Sequence, residues 1–66
     1  MEMTRLGKRI FEYRARHNIS QLKMAELLGV YTNMIWRVES GKRVHKRTEY
    51  RLMAKLDELE RSEGNA

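Results

Sequence analysis

Sixty-six residues allow one small domain, whose core is marginal unless its helices pack economically or an oligomer adds buried surface. Without cysteine there is no disulfide framework or thiolate metal site, no apolar run approaches a membrane span, and the basic N-terminus lacks the apolar core of a signal peptide, so a soluble, cytoplasmic protein is expected. The net charge of +5 averages two unlike parts: through Leu56 there are thirteen lysines and arginines against five acids, whereas beyond it Asp57, Glu58, Glu60 and Glu63 face Arg61 alone.

A basic body of this kind suits a polyanion, usually nucleic acid, or is simply a solvated basic surface; charge alone does not choose. The spacing predicts a first helix from a Thr4 cap to about His17, with Leu6, Ile10 and Tyr13 as its core stripe. Phe11 lies off that stripe, as a partly covered flank of the core or as part of a contact surface. Asn18 fits a left-handed C-cap, with the apolar Ile19 following.

Ser20 then caps a second helix over residues 21–28, with Ile19 stapled to Met24 and Gly29 as the stop. Leu22 and Leu27 add apolar surface that, with Phe11, could form a patch. A third helix over residues 32–40 starts one short turn later. Either Tyr31 is its cap and Val30 staples to Ile35, or Thr32 is the cap and Tyr31 packs on Trp36; the hydroxyl favours Thr32. Gly41 ends this helix as Gly29 ended the one before.

Met24, Ala25 and Leu28 share one face of the second helix, and Ile35 and Val38 one face of the third, so these faces pack together. Left outside are Thr32, Asn33, Trp36 and Arg37, hydrogen-bonding and stacking groups suited to base edges. Trp36 either packs against deoxyribose or a thymine methyl, or is drawn in against Tyr31. Just beyond, Lys42, Arg43, Lys46 and Arg47 crowd into six residues and make a phosphate clamp beside the groove wall.

Thr48 is placed to cap a last helix over residues 48–62, with Glu49 in its first turn suiting the dipole. Its apolar stripe is Leu52, Met53, Leu56 and Leu59; Leu52 and Leu56 close the core, Met53 fills gaps, and Leu59 is left among acids. Residues 64–66 are expected to fray from a domain spanning 1–63. His17 and His45 lie in separate segments, exposed or phosphate-facing rather than metal-binding, and no cofactor is expected.

Ser20, Gln21, Ala25, Gly29, Val30, Ile35, Arg37, Glu39, Gly41 and Arg43 stand at the spacing of the Cro/C1-type (Xre-family) helix-turn-helix domains of phage repressors, which the chain resembles from about Leu6 to Leu56. The resemblance implies an all-α, lambda-repressor-like bundle of four helices, with a recognition helix from Thr32 to Glu39. It further implies that Arg14 pairs with Glu39, tying the first helix to the third. It also makes Gln21 and the helix start at Ser20 a phosphate grip, as the helix dipole favours, where residue type alone shows only a good helix former. Tyr31, where the family has serine or threonine, Trp36, where it has a small or polar residue, and the lack of a separate fifth helix depart from the pattern.

The function expected is sequence-specific binding of double-stranded DNA by a small repressor that blocks a promoter, with Thr32, Asn33, Trp36 and Arg37 on bases and Ser20, Gln21, Lys42, Arg43, Lys46 and Arg47 on phosphates. A weak homodimer on a two-fold operator is the usual way to gain discrimination; its surface would be Leu59 and the outer side of the last helix, where Glu58, Glu60 and Glu63 repel unless Arg61 or Lys55 crosses over. The alternative is a protein-interaction module using Phe11, Leu22, Leu27, Trp36 or Leu59, as an antitoxin or anti-repressor. No enzyme is expected, since the chain has no nucleophile and base, no carboxylate pair in a plausible cleft and no phosphate-cradling glycine loop.

Overall fold

The computed structural model describes residues 3–64, all-α and without strands among them: α1 (Arg5–His17), α2 (Gln21–Leu28), α3 (Thr32–Glu39) and α4 (Lys46–Gly64). Two caps follow from residue type. Thr4 Oγ1 accepts the Gly7 N–H and Ser20 Oγ accepts the Lys23 N–H, both at 3.0 Å, satisfying donors that the first turn leaves free.

The ends of α1, α2 and α3 share one device. Asn18, Gly29 and Gly41 take the left-handed conformation at φ 52°, 71° and 77°. The residue after each returns its N–H to a carbonyl five positions back: Ile19 to Arg14, Val30 to Ala25 and Lys42 to Arg37. In the first two turns that residue is apolar and packs on the core. In the third it is Lys42, whose ammonium sits 5.9 Å from the centre of the Trp36 ring.

Two helix starts differ from the sequence expectation. The cap of α3 is Tyr31, with no side-chain hydrogen bond, and Thr32 is the first helical residue. Val30 explains this: packed against the core straight after Gly29, it stands at staple spacing from Ile35, and the anchoring fixes where α3 begins. Tyr31 is 88 % exposed and does not pack on Trp36. At the other junction α4 begins at Lys46 rather than after Thr48, because Val44 is drawn onto the core and His45 Nδ1 accepts the Arg47 N–H at 3.4 Å, which makes His45 the cap. The helix continues through Gly64, beyond the expected stop at Ser62; Asn65 and Ala66, expected to fray, lie outside the described residues.

The core takes residues from every helix: Leu6, Ile10 and Tyr13; Met24, Ala25 and Leu28; Ile35 and Val38; Leu52 and Leu56. Those stripes are the ones the apolar spacing predicts, and truncating a fully buried member such as Ile35 to alanine costs about 2–5 kcal/mol. α1 comes so close to α3 at Gly7 that a Cβ there would lie 2.5 Å from the Val38 carbonyl oxygen.

The acidic stretch of α4 is folded back on α1. Arg9 Nη2 donates to Asp57 Oδ1 at 2.7 Å and Glu60 Oε1 at 2.6 Å, Arg16 reaches Glu60 at 3.4 Å, and His17 pairs with Glu63. The bond to Asp57, then that to Glu60, raises the Arg9 guanidinium above its ordinary pKa. Leu59 and Leu27 are half-buried against the core, and Glu60 and Glu63 are held within the chain.

Candidate nucleic-acid interface

α3 turns Ile35 and Val38 inward, so the helical period places Asn33, Trp36 and Arg37 on the other side. Asn33 is exposed at the first turn, and Trp36, 47 % exposed, follows three residues on beneath Lys42. Thr32 is half-buried at the edge of this face. Arg37 is half-buried too and partly engaged: its Nη2 donates to the Arg43 carbonyl at 3.0 Å, holding the segment after α3 against the helix. One of its five N–H donors is used in this way.

The footing of α3 is the fork between Arg14 and Glu39. Arg14 Nε donates to Glu39 Oε2 at 2.8 Å and Nη2 to Oε1 at 2.7 Å, with the side chains only 18 % and 9 % exposed. Arg14 Nη1 also donates to the Ile19 carbonyl at 3.2 Å, so one guanidinium joins α1, the turn before α2 and α3. The bond to Glu39 outweighs burial and raises the Arg14 pKa above its ordinary value. Gln21, expected on phosphate, instead donates its amide to Glu39 Oε1 at 3.2 Å, and Ser20 Oγ is occupied by the Lys23 N–H. Both belong to the scaffold in this structure, leaving the carbonyl oxygen of Gln21 free of any bond found among the described residues.

The cations after α3 behave differently. Lys42 and Arg43 are exposed in the connecting segment, and Lys46 and Arg47 occupy the first turn of α4. None of the four pairs with a carboxylate among the described residues, whereas Arg9, Arg14 and Arg16 all do. Two positive side chains in a first turn oppose the helix dipole, an effect partly offset by Glu49 in the same turn. Residues whose importance sequence spacing did not signal are Gly7, at the α1–α3 approach, and His45, an uncommon capping residue that fixes where Lys46 and Arg47 sit. Arg9 and Arg16, seven apart on α1, and Asp57, Glu60 and Glu63, three apart on α4, did carry a legible signal in their matched periodicities.

The chain matches no family model, no characterised protein and no solved structure.

Proposed function

We propose that the chain is a sequence-specific double-stranded DNA-binding regulator of the Cro/C1 type, acting as a small repressor by occupying its operator. The observation that carries this reading is the separation of charge. The acids of α4 pair with Arg9 and Arg16 of α1 and Glu39 holds Arg14, while Lys42, Arg43, Lys46 and Arg47 make no ion pair among the described residues and cluster beside the outward face of α3. A polyanion at that place gains the whole cluster and loses nothing to internal pairs.

In this reading α3 lies in the major groove. Asn33 takes adenine through its amide, Arg37 takes guanine with the donors that the Arg43 carbonyl does not use, and Trp36 covers deoxyribose or a thymine methyl. Thr32 touches the groove edge. Lys42, Arg43, Lys46 and Arg47 hold phosphates, with the start of α2 at Ser20 and Gln21 on the opposite flank. Two copies on a two-fold site supply the discrimination that one short helix lacks.

The test is selection of bound duplexes from a random library, followed by titration of the selected site against scrambled DNA over a range of salt. A recurrent motif with a steep salt slope is the expected outcome. Salt-insensitive binding, or affinity indifferent to sequence, would refute the reading.

A further inference from the structure

Beside the α3 face runs a groove of about 770 Å³, roomy enough for several side chains, between the α2–α3 turn and α4. Its floor is apolar, built from Val30, Met34 and the edges of Leu28 and Leu52. One wall carries Arg51 and Lys55, and no acid lines it anywhere. Arg51 makes no ion pair among the described residues, and Lys55 only reaches Glu58 at 4.0 Å between two exposed side chains. The other wall is Tyr31 and Asn33, the entry to the α3 face.

We propose that this groove docks a segment of a foreign protein in which a large apolar side chain is flanked by carboxylates, and that the docked segment excludes DNA. An apolar floor bounded by two exposed cations selects that pairing of chemistries: the apolar residue removes Val30 and Met34 from water while the acids meet Arg51 and Lys55. Among the described residues, the exposed apolar side chains that adjoin an acid also have a cation beside them. Phe11 is next to Glu12 but has Lys8 one turn away and Arg14 over its ring, Tyr50 lies between Glu49 and Arg51, Met3 has Arg5 two residues on, and Leu59, the one leucine among acids, is partly buried against the core. A second copy is thereby disfavoured. Exclusion of DNA rests on the function proposed above, because the occupant would cover Tyr31 and Asn33.

The test pans a displayed library of random peptides on the full-length chain. The enriched peptides are expected to join a large apolar residue to Asp or Glu. They should bind the Arg51→Glu/Lys55→Glu variant at least about tenfold more weakly, bind Phe11→Ser/Leu22→Ser unchanged, and displace labelled DNA. Arg51 and Lys55 are exposed, so circular dichroism should show the parental fold, and the milder Arg51→Gln/Lys55→Gln should fall between the two. Failure to enrich such peptides, or equal binding to the charge-reversed variant, overturns the docking site; loss of all DNA binding in that variant with no peptide enriched makes the groove a backbone contact instead. Peptides that dock without displacing DNA overturn the exclusion alone. A chain that binds no DNA removes that clause together with the DNA reading, and the peptide result still decides the docking.

Discussion

Glu39→Ala should unfold this protein more readily than any surface change, and the structure sets the size of the effect. The substitution leaves Arg14, whose side chain is about four-fifths buried in the parent, without the two short bonds at 2.8 and 2.7 Å, and strips Gln21 of its acceptor. Breaking one side of a buried pair costs about 3–5 kcal/mol. Arg14 keeps the Ile19 carbonyl and some contact with water, which places the expectation near the lower end, about 3 kcal/mol. A domain of this size has a total stability of about 3–10 kcal/mol, so the loss is a large part of the whole. Urea unfolding followed by far-ultraviolet circular dichroism measures it, with the midpoint falling and the slope unchanged. The companion variant, Arg14→Met with Glu39→Leu, removes both charges and should recover most of the stability, since the desolvation of the pair is removed with its attraction. Parental stability in Glu39→Ala, or a double variant as weak as the single, would refute this reasoning.

Gly7→Ala should destabilise by about 1–3 kcal/mol through the clash with the Val38 carbonyl, although helix propensity alone favours alanine by about 1 kcal/mol; a higher melting temperature would contradict the close approach. Burial, and next the field of Glu63, raises the Tyr13 pKa above its usual value near 10. The folded state then holds its phenolic proton longer than the unfolded one, so stability is full below about pH 10 and falls as pH rises beyond it. Tyr13→Phe should flatten that alkaline limb, and an unchanged limb would exclude Tyr13 as its source. On DNA, Arg37→Ala should cost about 1–3 kcal/mol on the selected site and relax one position, while Lys42→Ala should weaken every sequence alike and shallow the salt slope by about one; equal losses on selected and random DNA would reduce Arg37 to its bond with the Arg43 carbonyl. With Leu59 half-buried against the core, sedimentation should show a monomer at micromolar concentration and two copies per selected site; a tight dimer without DNA would oppose this.

The core was legible because period alone separates Ile10, Met24, Ile35 and Leu56 from their polar neighbours, and burial obeys that period. Helix starts were less so. Thr32 and Thr48 are better caps than Tyr31 and His45, yet the anchoring of Val30 and Val44 on the core decided both boundaries, and such anchoring is tertiary. The same holds for the candidate interface. Asn33 and Trp36 point outward as the period requires, whereas Gln21 and Arg37 are turned to Glu39 and the Arg43 carbonyl, acceptors whose proximity no spacing reveals. The resemblance to phage repressors supplied the Arg14–Glu39 partnership, and the fork between them is what places α3.

The ion pairs between α1 and α4 join positions 44 to 51 residues apart, whereas α2 and α3 meet across three residues. Closing the longer span costs more chain entropy, and on a ribosome its second half does not yet exist when the first emerges. The growing chain therefore passes through a stage with thirteen lysines and arginines and five acids, in which Arg9 and Arg16 lack Asp57 and Glu60, their partners in the folded protein. At that stage its net charge is at its most positive. Docking of α4 is then also a shielding event, covering Arg9 and Arg16 with carboxylates while Lys42, Arg43, Lys46 and Arg47 stay exposed.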